Sequence, residues 1–161
     1  MTGDRKMEGL AAAVDRFNTH YVYVVDNDVS SWPECFAEDG GYHVLTKDSA
    51  SEDLPAGFLF FERKPQLIDR INALLNASIY PKANLRHLIG ACKIHEATGD
   101  RIKATAPFVV YESREQEVPS VYATGQYEDE FIRNEGGELL LLSRRCVLDN
   151  DIVRTMMALP L

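Results

Sequence analysis

The chain has no run of about 18 consecutive apolar residues, the length a helix needs to cross a bilayer, although 45% of its 161 residues are hydrophobic. Residues 1–17 also lack the apolar block of a secretory signal, so the expectation is a cytoplasmic protein with no membrane span. Cysteine is scarce. Cys35, Cys92 and Cys146 are odd in number and far apart, which argues against a disulfide framework and fits reduced thiols packed as small apolar groups. Positive charge is in deficit, with 17 Lys and Arg against 25 Asp and Glu and a formal net charge of -8. The basic residues are scattered among acidic ones and form no stripe, so neither nucleic-acid phosphates nor an anionic membrane surface is an expected partner.

The usual catalytic signatures are missing as well. No glycine-rich loop leads from a strand into a helix, and no serine sits at a strand-to-helix elbow flanked by glycines. Cys92-x-x-His95 is the single short pairing of metal-ligand types, without the second pair that a Rieske cluster requires. On a strand those two side chains point to opposite faces. No metal or cofactor is therefore assigned to this chain.

What is present describes one domain, residues 1–161, of ordinary size. Leu10, Val14, Phe17, Tyr21, Val24 and Val25 recur at spacings of three and four, the apolar stripe of a helix over residues 8–28, and Asp28 extends that stripe. Ser31-Trp32-Pro33-Glu34 reads as a capping box, predicting a short second helix that stops at Gly40-Gly41. Residues 42–46 and 57–62 read as strands, and Pro65 opens a helix with Leu67, Ile68, Ile71, Leu74 and Leu75 on its inner side. From there the pattern becomes four strands, 85–96, 101–112, 120–132 and 138–149, separated by turn signals. In the third, Val121, Ala123, Gly125, Tyr127, Asp129 and Phe131 share the buried face, and the mid-strand glycine suggests a bulge or close approach. The prediction is an α+β cone: a strongly curved mixed or antiparallel sheet wrapped around N-terminal helices and one inserted helix. The apolar tail from Met156 to Leu161 reads as a surface in want of a partner.

Chemistry, if this chain performs any, falls to a polar cluster at the mouth of the cone, drawn from Tyr23, Asp28, His43, His87, Tyr127 and Asp129. In that reading His43 or His87 is a general base and Asp28 or Asp129 its orienting acid, as in a stand-alone lyase or isomerase of small cyclic substrates. Arg86 and the Arg144-Arg145 pair supply cations for Asp129, Asp149 or acids of another subunit. Asp26, Asp28 and Asp39 otherwise read as anchors where the helical layer meets the sheet.

Asp26-x-Asp28 followed by Trp32, the run Phe36-Ala37-Glu38-Asp39 leading to Tyr42, Asp69-Arg70, Arg86-His87-Leu88-Ile89, Gly125-x-Tyr127-x-Asp129 and a close from Arg145 to Asp149 with a Leu-Pro-Leu end occur in order. Over nearly the whole chain this order resembles the small (beta) subunit of aromatic-ring-hydroxylating dioxygenases. The resemblance implies a nuclear-transport-factor-two-like cone and a non-catalytic structural role. It also implies a large (alpha) partner subunit carrying the Rieske [2Fe-2S] cluster and the mononuclear iron, with this chain as a homotrimer or in a three-plus-three hexamer. An aromatic acid such as benzoate, anthranilate, salicylate or terephthalate is the implied substrate class. Arg86, Arg145, Met156, Met157, Leu159 and Leu161 are the candidate subunit-interface residues.

Overall fold

A computed structural model describes residues 2–52, 57–76, 83–152 and 157–161. Helix α1 (Thr2–Asn27) is followed by a 3₁₀ turn (Val29–Cys35), strand β1 (Phe36–Thr46), a short helix α2 (Lys47–Ser51), β2 (Leu59–Phe61) and helix α3 (Lys64–Asn76). Strands β3 (Asn84–Ile89), β4 (Lys93–Thr98), β5 (Arg101–Ser113), β6 (Ser120–Arg133) and β7 (Leu139–Leu148) complete the order. The strands form one sheet in the order β2-β1-β7-β6-β5-β3, with β4 also paired to β5. Among the described residues only the β1–β7 pairing is parallel, so the sheet is mixed, as expected for the α+β cone.

The helical stripe behaves as its spacing predicts. Val14, Tyr21, Val24 and Val25 are buried against the concave side of the sheet, with Phe17 packed on the edge of Phe131 at 5.1 Å. Asn18 lies on the same stripe and is 3% exposed, a polar intrusion that apolar periodicity does not reveal. The stripe does not extend to Asp28. That residue leaves helical geometry (φ −145°, ψ 62°) and its side chain faces solvent.

The second helix is also different from expectation. A 3₁₀ turn over Val29–Cys35 replaces it, headed by Asp28 rather than capped by Ser31. The Asp28 carboxylate accepts hydrogen bonds from the hydroxyls of Ser30 (2.5 Å) and Ser31 (2.7 Å). The turn's tight pitch buries Trp32, Pro33 and Cys35, and Trp32 packs edge-on to Phe36 and Tyr42. Gly40 and Gly41 end no helix; they lie inside β1, where the register with β7 slips between Phe36 and Gly41. A Cβ on Gly40 would lie 2.6 Å from the Leu141 carbonyl oxygen, so the close strand crossing requires glycine there.

Residues 85–96 form two strands rather than one. β3 pairs with the second half of β5 and β4 with the first half, and the break falls opposite Pro107. Proline has no N–H to give to a neighbouring strand, so the ladder cannot run through it. Its carbonyl instead accepts from the Gly90 amide at 2.8 Å. Gly125 meets its expectation: a side chain there would collide with the Val147 carbonyl and the Phe108 ring. Curvature is added by register slips at Val110/Tyr111 and at Glu130/Phe131.

The apolar tail is docked on its own domain. Leu161 is fully buried and Met157 is 7% exposed, both within the core cluster. The Leu161 amide donates to the Tyr42 hydroxyl (2.8 Å), its carbonyl accepts from the Tyr21 hydroxyl (2.9 Å), and Arg70 donates to the carbonyls of Met157 and Ala158. Deleting residues 157–161 is therefore predicted to destabilise the isolated chain. Two buried side chains at about 1.5 to 3 kcal/mol each imply a loss of about 3 to 6 kcal/mol in urea unfolding.

Candidate functional site

Two buried polar clusters occupy the space between α1 and the sheet. The first is built on register. Asp129 of β6 lies directly across from Arg144 of β7, so their side chains share the inner face. Arg144 grips the carboxylate with a two-pronged contact, Nε to Oδ1 at 2.9 Å and Nη2 to Oδ2 at 2.8 Å. The same Nη2 donates to Asn18 Oδ1 at 2.7 Å. The guanidinium is stacked between the rings of Tyr21 and Tyr127, 4.1 and 4.0 Å from their centroids. Burial pushes the Asp129 carboxyl above its ordinary value against the pull of Arg144. Burial opposes the charge on Arg144 too, but Asp129 overcomes it and holds the guanidinium well above its usual range.

The second cluster joins the end of α1 to β3. Asp26 Oδ1 lies 2.7 Å from His87 Nδ1, and Asp26 Oδ2 accepts from the His87 backbone amide at 3.2 Å. Both side chains are at most 1% exposed, while Arg86 approaches the same carboxylate at 3.7 Å from the outside. The carboxylate orients the ring and leaves Nε2 as its free end. Asp26 is thus the helix-to-sheet anchor of the three early acids.

The sequence-derived cluster is assembled differently from its expected pairings. His87 meets Asp26 rather than Asp28 or Asp129, because Asp28 has left the helix face and Asp129 is committed to Arg144. His43 alternates with Tyr42 and Val44, which face the core, and so lies on the opposite side of β1, stacked on Phe60 at 4.0 Å. Its pKa is lowered by burial and secondarily by Arg145. Tyr23 is 65% exposed. Asn18 and Asp26, the α1 partners of both clusters, escaped sequence reasoning as a pair, although their separation of eight residues puts them on one helix face.

Among the described residues no group of three His, Cys, Asp or Glu is placed to hold a metal. Cys92 turns toward α1, its thiol donating to the Ala11 carbonyl, whereas His95 bonds Thr105 on the other side. Cys35 and Cys146 are buried separately. The donors available here do not fit an iron site or an iron–sulfur cluster.

The family model described as ring hydroxylating beta subunit matches residues 22–155. This chain belongs to that family. A beta subunit of the terminal oxygenase component of terephthalate 1,2-dioxygenase from Comamonas is 36% identical over 146 residues, covering 90% of this chain and 94% of the relative. The small subunit of anthranilate 1,2-dioxygenase from Burkholderia cepacia is 31% identical, covering 88% of each chain. A crystal structure assigned as the beta subunit of an aromatic-ring-hydroxylating dioxygenase from Novosphingobium aromaticivorans superposes with a TM-score of 0.86. It is 33% identical, with 96% of this chain and 98% of that chain covered.

In this beta subunit the polar core is predicted to act as a unit. Arg144→Met leaves Asp129 buried without its cation and is expected to lose about 3 to 5 kcal/mol, whereas the double variant Asp129→Leu/Arg144→Met recovers most of that loss in urea unfolding. The thiols give a second check. Burial raises Cys35 to about 11, and burial with Asp15 beside it raises Cys92 to about 12. Burial likewise raises Cys146 to about 12. All three stay protonated at any pH below their raised values, so the native chain at pH 8 is expected to react negligibly with a thiol-specific disulfide reagent. All three should react after unfolding.

Proposed function

We propose that this chain is the non-catalytic assembly subunit of a multicomponent aromatic-ring-hydroxylating dioxygenase, an oxidoreductase of aromatic-compound catabolism. The observation that carries the reading is the match to the beta-subunit family over residues 22–155, supported by relatives that are themselves small subunits of dioxygenases. The large (alpha) partner supplies the Rieske [2Fe-2S] cluster and the mononuclear iron. The assembly is a homotrimer of this chain or a three-plus-three hexamer in the cytoplasm, and an aromatic acid is the substrate class, in keeping with the terephthalate and anthranilate of the relatives' names. The comparisons do not favour the alternative of a stand-alone lyase or isomerase.

The partner-facing surface is better sought on the sheet than on the tail. Met156 lies outside the described residues, Met157 and Leu161 are buried at home, and Leu159 is half-buried against the core. Arg145 is turned to Glu128 at 3.0 Å and to the Ala50 carbonyl, whereas the Arg86 side chain is 68% exposed. Arg86, Tyr111 and Val121 stand side by side across β3, β5 and β6, with Leu88 two residues along β3. Leu88, Tyr111 and Val121 are 57%, 39% and 46% exposed, an apolar group beside the exposed Arg86. When the chain is co-expressed with an iron-carrying large subunit, light scattering is expected to show a mixed oligomer. Leu88→Asp with Val121→Asp should weaken it by at least about tenfold without altering the circular dichroism of the small chain. A wild-type chain that stays monomeric and never binds such a subunit would overturn the reading.

A further inference from the structure

We propose that the cleft between α1 and the β6–β7 hairpin is a binding site for a small aromatic monocarboxylate, its carboxylate met by Arg16 and Arg133 and its ring laid against Phe17 and Leu139. The cleft has a volume of about 530 Å³, within the roughly 300–1,000 Å³ usual for small-molecule sites. The site belongs to this chain alone and does not depend on assembly with a large subunit.

Helix and hairpin each bring a cation and an apolar group to the same space. Ala13, Arg16, Phe17 and His20 recur at spacings of three and four, so one side of α1 lines the cleft. On the sheet, Arg133 lies two residues beyond the buried Phe131 and directly across from Leu139, which places both on the side that faces α1. Phe17 is fixed by its edge contact with Phe131 at 5.1 Å, and Leu139 packs against the core. An apolar floor is therefore in place without any ligand.

The cations of this cleft are accessible, unlike the guanidinium buried in the core. Arg16 is exposed and has no hydrogen-bond or ion-pair partner among the described residues. Arg133 is half-buried, and its Nη1 donates to the Gly137 carbonyl at 3.0 Å, which steadies a fork whose remaining N–H groups suit a carboxylate. Glu34 and Glu138 also border the cleft; Glu34 is exposed, and the Glu138 carboxylate accepts from Asn134 Nδ2 at 3.1 Å. Two acids beside two arginines favour a single negative charge over a phosphate or a dicarboxylate, and the net charge of -8 acts in the same direction. Arginine planes stack on rings as well as pairing with carboxylates, and a rigid ring loses less rotamer freedom than a flexible chain, so the body of the ligand is aromatic.

The test is isothermal titration of the full-length chain with benzoate at low ionic strength, with benzamide as the uncharged analogue and inorganic phosphate as the anion without a ring. Benzoate is expected to bind saturably, and both controls at least about tenfold more weakly. Ala13→Trp fills the floor without removing a charge and should abolish binding. Arg16→Gln removes one exposed cation and should weaken benzoate by about tenfold, whereas Arg114→Gln, at an arginine paired with Glu112 outside the cleft, should leave the affinity unchanged. Circular dichroism verifies that each variant is folded. No saturable binding by the wild-type chain, benzamide or phosphate binding as tightly as benzoate, an unchanged affinity in folded Ala13→Trp or Arg16→Gln, or an equal loss in Arg114→Gln would each overturn the proposal. Assembly with a large subunit is read separately by light scattering, so the two readings fail independently.

Discussion

A guanidinium with no exposed surface sets the terms for the rest of this molecule. Arg144 is wholly buried, and an uncompensated charge in such a place costs several kcal/mol, so its surroundings must supply a counter-charge, further acceptors and polarisable faces. Asp129 gives the first, Asn18 the second, and the rings of Tyr21 and Tyr127 the third. The compensation reaches further because Tyr21 is itself tied down. Its hydroxyl accepts from Trp32 Nε1 at 3.0 Å and donates to the Leu161 carbonyl, and Leu161 in turn holds Tyr42. Helix, 3₁₀ turn, first strand, last strands and tail are thereby joined through one polar network.

The same network divides the titratable groups by role. Asp129, an attractive acid when read on an inward face of a strand, is consumed by its arginine and is not free to orient a histidine. His87 and Asp26 stand apart from that ion pair and keep an unengaged ring nitrogen. A fold of this kind carries subunits and enzymes alike, so the architecture does not choose between them. The sequence-level match to ring-hydroxylating beta subunits makes that choice, while the tail is buried against its own domain.

Much of the fold was legible in the chain. The stripe from Leu10 to Val25 predicted the buried face of α1, strand alternation predicted Tyr127, Asp129 and Phe131 as inward, and Gly125 marked a close backbone approach, whereas Val121, expected on the same buried face, is 46% exposed because the register slip at Val110/Tyr111 turns it outward. The errors have a common source in contacts between segments distant in sequence. The break between β3 and β4 is imposed by Pro107 in the neighbouring strand, and the slip at Gly40-Gly41 by the crossing of β7. The tail's destination depends on tyrosine hydroxyls 119 and 140 residues away. Asn18 carries no local signal for the same reason, since a polar residue on an apolar stripe makes sense only once Arg144 is opposite it.

Local periodicity, turn chemistry and the ordered set of residues shared with the beta-subunit family are properties of the linear chain, so the sequence alone determined the α+β class, the run of elements and the family resemblance. Which carboxylate meets which cation, and which histidine meets a carboxylate, depended on sheet register and on the angle at which α1 lies over the strands. Asp26 lies 61 residues from His87, and Asn18 lies 126 residues from Arg144. Hydrogen bonds and ion pairs of that separation are selected by distances of a few ångströms that no spacing rule contains. Only the tertiary structure could decide them.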